Sequence, residues 1–197
     1  MNNATIQASG ASIIQEAESW IYRRLRHWKM IPVPATGNIA SGNDFLTLPT
    51  DFLEPRRLFI TGTNFAELRM TTDREVIQNW TYDGSGARVQ QQPMIYYFDQ
   101  AAFRFDSVAD QAYPYALVYY QQPAALGASN ATNFLTSTYP RLMRCALMAA
   151  ACEWLKDMGQ GQINRTYWDE LAMIELQAAQ IEGDRAIHAI EFGAIIA

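Results

Sequence analysis

Leu48-Pro49-Thr50-Asp51-Phe52-Leu53-Glu54 opens the stretch, Leu46 to Lys156, whose reading decides the fold. Behind it come tyrosine-rich segments, Tyr96-Tyr97-Phe98 before Phe103-Arg104-Phe105, ending in Tyr119-Tyr120-Gln121-Gln122-Pro123-Ala124-Ala125-Leu126. Phe103 and Phe105 face one way and Arg104 and Asp106 the other, the period-two alternation of a half-buried strand. Three strands are therefore expected, about Met94 to Phe98, Ala102 to Ser107 and Tyr113 to Tyr120, forming an antiparallel meander with one wetted face. Upstream, Arg57 to Thr61 and Phe65 to Leu68 flank Gly62-Thr63-Asn64 and read as a short hairpin. Thr72-Asp73-Arg74-Glu75 has capping-box spacing and predicts a short helix to Trp80.

Helical patterns lie on either side of this stretch. From Ser12 to Met30, apolar Ile14, Ala17, Ile21, Leu25 and Trp28 fall at three-and-four spacing, and Pro32 and Pro34 end the run. Thr36 to Asn43 is rich in Gly, Asn and Ser and reads as a linker loop. Ser137 and Thr138 offer an N-cap to a helix with Pro140 in its first turn, and Ala146 and Ala149-Ala150-Ala151 would let a neighbouring helix come close. Gly159 and Gly161 stop it. A last helix from Asn164 carries Tyr167, Leu171, Ile174, Ala178 and Ile181 as its core face and ends near Gly183. The fold class is α+β, mainly α: a helical body of three longer helices with an inserted small antiparallel β-sheet and an extended C-terminal tail. In residues, the helical body is 5–31 and 137–183, the β-rich insertion 45–122 and the tail 184–197, with 1–183 a single domain.

The 197 residues suffice for a real core, and 49% apolar with 18% charged residues is ordinary globular composition. A net charge of −5 opposes sequence-independent gripping of nucleic acid. Cys145 and Cys152, seven positions apart on one helix, cannot pair with each other. A start lacking a signal-peptide pattern and an apolar run far short of a membrane span predict a cytoplasmic or particle-bound protein with no membrane partner.

No constellation suits catalysis, and no cofactor is implied. His27 sits among cations that lower its pKa and discourage a metal, and His188 stands alone in the tail. Gly84-Ser85-Gly86 starts like a dinucleotide fingerprint but is followed by Val89, not glycine, and opens no helix. Carboxylate pairs exist at Asp51 and Glu54, Asp99 and Asp106, and Glu153 and Asp157, and turns, strand exteriors and helix faces account for them. Trp20, Trp28, Trp154 and Trp168 occupy core-compatible helical positions. Two segments stand out. Arg23, Arg24, Arg26 and Lys29, with His27, either complement the dipole of the first helix or form a patch for an acidic partner or DNA. The tail, apolar at Ile187, Ile190, Phe192, Ile195 and Ile196, either packs on its own domain or docks into a partner by adding an edge strand or filling a groove.

The order of the motifs quoted above, continued by Asn133-Phe134-Leu135 before Tyr139-Pro140 and a helix closing with Glu153-Trp154-Leu155-Lys156-Asp157, resembles the head-to-tail adaptor proteins of tailed bacteriophages. The resemblance covers about the middle three-fifths of the chain. It implies a structural virion protein, not an enzyme, forming a ring, usually dodecameric, between the portal and the tail. Such a ring extends the DNA channel and gives the tail its attachment platform. Its partners are the portal, tail or neck proteins, further copies of itself, and genomic DNA passing without sequence-specific contact; it resides in the virion neck and, during assembly, the host cytoplasm. Portal anchoring through extended termini carries over to Ile187, Ile190, Phe192, Ile195 and Ile196. Two alternatives stay open: a virion-associated cell-wall hydrolase using paired carboxylates, and another neck or tail-completion protein.

Overall fold

The computed structural model describes residues 3–62, 65–78, 80, 82–99, 101–157 and 165–196, with the side chains of 3–8, 78, 156–157 and 188–196 left aside. The chain forms two compact units, one from residues 1–30 and 122–197, the other from 31–121.

The first unit is helical. Its elements are α1 (Asn3–Tyr22), a 3-10 turn (Trp28–Met30), α3 (Phe134–Thr138), α4 (Pro140–Asp157) and α5 (Arg165–Ile196). α4 packs against both α1 and α5. Ala17, Ile21 and Leu25 are buried as the three-and-four spacing requires, but α1 ends at Tyr22, well before the prolines, and Trp28 turns outward. The alanine face of α4, with Ala146, Ala149 and Ala150 buried, admits its neighbours closely: Ala17 and Trp20 of α1 and Ala172 of α5 line one narrow cleft with it. Asn133 caps α3, its Oδ1 accepting from the Leu135 and Thr136 amides at 3.0 and 3.1 Å, so Ser137 and Thr138 lie inside α3 and are not the cap of α4. Pro140 does occupy the first position of α4.

A buried acid joins these pieces. Glu18 of α1, 3% exposed, accepts from the Leu126 amide at 3.0 Å, from Asn133 Nδ2 at 2.8 Å and from the Tyr22 hydroxyl at 3.4 Å. One carboxylate thus ties α1 to the incoming loop and to the cap of α3. Each of its bonds replaces solvation lost on burial. Burial and the Glu18 charge push the Tyr22 phenol well above its ordinary range, keeping it a donor.

Two expectations for α5 are overturned. Gly183 does not stop the helix, which continues through residue 196, so the C-terminal segment is helical and not an extended tail. The expected core face is also the wrong one: Ile174 and Ile181 are 59% and 52% exposed, whereas Ala172, Leu176, Ala179 and Gly183 are buried. Gly183 explains both. A Cβ there would lie 2.8 Å from His27 Cδ2 and 3.3 Å from the Arg26 carbonyl oxygen, so glycine permits a contact that any side chain would block. Small residues at 172, 179 and 183 bring α5 close on one side, and the large apolar residues are left on the other. Gly159 and Gly161 lie outside the described residues.

The second unit is a sheet of seven strands among the described residues, ordered β1-β7-β3-β4-β5-β6-β2. The strands are β1 (Ala35–Ile39), β2 (Phe45–Thr47), β3 (Phe52–Ile60), β4 (Ala66–Met70), β5 (Ile95–Asp99), β6 (Ala102–Phe105) and β7 (Tyr113–Gln121), with α2 (Asp73–Gln78) after β4. This corrects the expected fold class: the sheet is neither small nor purely antiparallel, since β4 and β5 pair in parallel. The β5-β6 hairpin and the Leu58↔Leu68 pairing of β3 with β4 follow the alternation and turn signals. β1 falls in the stretch read as a linker. Its middle residues Thr36, Gly37 and Asn38 are exposed and polar or small, with only Ile39 buried, yet its backbone pairs with β7 from Ala35↔Leu117 to Ile39↔Tyr113. β3 is interrupted by register shifts around Glu54 and Pro55, the irregularity that lets proline sit within a paired strand.

The core of this unit is aromatic. Phe103, fully buried, lies edge-on to Tyr96 at 4.9 Å and to Phe52 at 5.6 Å, and Phe52 stacks on Tyr119 at 5.7 Å. Leu58, Ile60, Leu68 and Leu117 complete it. The capping box before α2 is half present: Thr72 Oγ1 accepts from the Glu75 amide at 3.4 Å, but the Glu75 carboxylate is taken by Arg69 and Thr71.

Replacing Gly183 by alanine is expected to lower stability by about 1–3 kcal/mol, the usual cost of forcing atoms into a filled contact. Urea denaturation checks it. An unchanged midpoint would show that α5 does not approach His27 this closely.

Candidate partner-binding surfaces

The basic segment after α1 folds back on the helix it follows. Arg23 Nε donates to the Ser19 carbonyl at 3.1 Å, Arg24 Nη1 to that of Trp20 at 3.0 Å, and Arg26 Nη1 to those of Tyr22 and Leu25 at 2.8 and 2.9 Å. The Ser19, Trp20 and Tyr22 carbonyls belong to the last turn of α1, where positive charge is favoured. The Arg24 guanidinium also lies 4.6 Å from the Trp20 ring, and Lys29 Nζ donates to Thr138 Oγ1 at 3.0 Å. Arg23, Arg24 and Lys29 remain exposed, Arg26 partly so. The segment therefore caps its own helix and still presents cations to solvent.

His27 is fully buried at the centre of this segment. The Lys29 amide donates to Nδ1 at 3.2 Å, which makes Nδ1 the unprotonated nitrogen, and Nε2–H then meets the Tyr139 hydroxyl at 2.9 Å. Burial first, then the nearby Glu182 carboxylate of α5, push the Tyr139 phenol up to about 12. Phe134 stacks on the imidazole at 5.9 Å. Burial pushes the His27 pKa below its ordinary 6.5 and Lys29 pushes the same way, while the Glu182 charge opposes both. The direction matches the expectation from sequence, but desolvation is the larger cause. Imidazole and phenol thus join the segment after α1 to the residue between α3 and α4, and the Glu182 charge of α5 acts on both.

The C-terminal hydrophobic residues are positioned by the continuation of α5. Ile187 is half-buried; the side chains of Ile190, Phe192, Ile195 and Ile196, like that of His188, lie outside the described ones. In an unbroken helix, positions 187 and 190 follow the line of 176, 179 and 183, and positions 192 and 195 the line of 174, 178 and 181. The segment is thus helical and not the extended peptide that adding an edge strand requires.

The carboxylates weighed for acid–base chemistry are engaged elsewhere. Asp51 accepts from the Tyr119 hydroxyl at 3.0 Å, Asp99 lies 3.7 Å from Arg104, and Glu153 pairs with Arg165 at 2.6 Å. Buried Asp106 accepts from the Met94 and Ile95 amides at 3.1 and 3.4 Å. Glu54 is exposed on β3 and the Asp157 side chain lies outside the described ones. Glu75, held by Arg69, and Asp83, held by Ser85, have lowered pKa values, opposite to the shift a general acid needs. Cys145 and Cys152 are unpaired and buried on α4, and burial pushes both thiols up. Among the described residues no group of three or more His, Cys, Asp or Glu could hold a metal, and no helix is long and apolar enough to cross a membrane.

Sequence reasoning missed Glu18, Asn133, Tyr139 and Glu182. The four-residue spacing of Glu18 and Tyr22 beside the buried Ala17–Ile21 face was a usable signal; the meeting of Tyr139 with His27 is long-range and had none.

A lowered folded-state pKa means that the unfolded chain takes up the His27 proton first. Its contribution to stability is therefore complete above pH 6.5 and is lost as pH falls from there through the folded value. His27→Gln should be less stable than the parent at pH 7.5, with the gap narrowing at pH 5, measured by urea unfolding. A gap independent of pH would contradict the buried neutral imidazole.

No curated protein matches the chain. The family model described as SU10 adaptor protein matches residues 2–189, a span that takes in the whole strand unit and nearly all of the helical one. The chain therefore belongs to the SU10 adaptor protein family, a family of bacteriophage head-to-tail adaptors.

Proposed function

We propose that this chain acts without catalysis, as the subunit of a closed ring, usually dodecameric, seated between portal and tail. There it extends the DNA channel and offers the tail its attachment surface. The family match over residues 2–189 carries this reading. The engagement of the candidate carboxylates in structural bonds supports the non-enzymatic part. Each contact between copies can be modest, because a closed ring repeats it and no subunit leaves without breaking two. The end of α5, through Ile187, Ile190, Phe192, Ile195 and Ile196, anchors the ring on the portal as a helix laid into a groove. Arg23, Arg24 and Lys29 face an acidic surface of a neighbour or the phosphates of passing DNA. The subunit is made in the host cytoplasm and ends in the virion neck.

Ending the chain after Gly183 keeps the His27 contact and removes the apolar end of α5. The shortened protein should retain its helical circular dichroism and fail to co-sediment with purified portal. Co-sedimentation equal to that of the full chain would remove the anchor from the proposal.

A further inference from the structure

The face of α5 turned away from its own unit carries Tyr167, Leu171, Ile174, Ala178 and Ile181, at four-three-four-three spacing. Tyr167, Ile174 and Ile181 are 49%, 59% and 52% exposed. Such a seam over two heptads is the pattern by which one helix receives another, and here Ile174, Ala178 and Ile181 are exposed while Leu171 is half-buried. Beside it Glu170, Glu182 and Asp184 are exposed, and Arg185, four residues beyond Ile181, is exposed as well.

A second face of the same unit is its counterpart. The outer side of α4 carries Arg141, Arg144, Met148, Ala151 and Leu155, at three-four-three-four spacing. Arg141 and Arg144 are exposed, Met148 is 39% exposed, and Ala151 and Leu155 are half-buried. Arg141 reaches Glu175 of its own α5 at 3.1 Å, while Arg144 has no ion-pair partner among the described residues. Both stripes run 15 residues, about 21 Å from first to last at 1.5 Å per step. One is apolar beside Glu170, Glu182, Asp184 and Arg185, the other apolar at one end and basic at the other.

We infer that the outward stripe of α5 packs on the outer face of α4 of a second copy, head to tail, with Ile174 against Met148 at its centre. The inference rests on the ring reading and gives it its contact. α4 and α5 pack together and are only seven residues apart in sequence, so they run in opposite senses. Neighbours in a ring differ by a small rotation, so α5 of one copy runs antiparallel to α4 of the next. That sense places Asp184 and Glu182 at the Arg141–Arg144 end and Tyr167 at the Leu155 end. Pairing α5 with α5 would close as a dimer; joining two different faces propagates to a ring.

The test uses full-length chains carrying either Ile174→Cys or Met148→Cys, assembled on purified portal and treated with a short bismaleimide. Wild type is the control for the buried native cysteines. The mixture of the two variants should give a cross-linked dimer and each variant alone should not, because position 174 meets position 148 and not itself. Ile174→Glu should lower assembly at least tenfold with unchanged circular dichroism. Assembly of wild type without cross-linking of the mixture, or equal dimer from one variant alone, would overturn this contact and leave the ring reading standing. Wild type that never joins portal would overturn both.

Discussion

The approach of α5 to the backbone and ring of His27 at Gly183 sets the arrangement of the helical unit. No Cβ fits there, so the helix is pinned in rotation as well as in position. Once Gly183 faces inward, helix geometry fixes the rest: Ala172, Leu176 and Ala179 follow it into the core, and Ile174 and Ile181 turn to solvent. His27 is held for the same contact. Its tautomer is set by the Lys29 amide and its outer nitrogen is met by Tyr139, while the Glu182 charge on the helix it supports acts on both rings.

Polar groups elsewhere serve the same purpose. Glu18 gathers the Leu126 amide, Asn133 and Tyr22, so the cap of a five-residue helix is tied to α1. In the strand unit, Asp106 satisfies two amides before β5, and Arg88 joins Asp44 at 2.5 Å while lying 4.3 Å from the Trp80 ring. Buried charges cost solvation unless bonded, and these are bonded to groups that fix the chain's path. These groups hold the shape of a chain that belongs to an adaptor family.

The legible parts of the sequence were those where local pattern and packing agree. Alternation at Phe103 and Phe105 gave β6 because one face is buried, and Pro140 marked the start of α4 because its missing N–H is harmless there. β1 was illegible because pairing with β7 needs only backbone, and exposed small or polar side chains leave no trace of it. β3 was obscured by Pro55, tolerated at an irregularity that only the partner strand reveals. The rule that the larger apolar stripe faces inward failed for α5, because close approach selected the smaller face. Gly183 was taken for a stop because a glycine that ends a helix and one that admits a neighbour look alike in one dimension. In the basic segment, Arg23 and Arg24 bond to helix carbonyls, as the dipole reading expects, and both remain exposed. The family resemblance survived the errors of fold because it rested on the order of motifs.

The account makes the chain a structural ring member whose outward helix is covered only on assembly. A reconstruction of the particle neck tests this most directly. The account predicts a closed collar of copies against the portal, with Ile174 and Ile181 of each copy buried by its neighbour. A neck in which the chain is absent, or present with that stripe open to solvent in a completed collar, would contradict it.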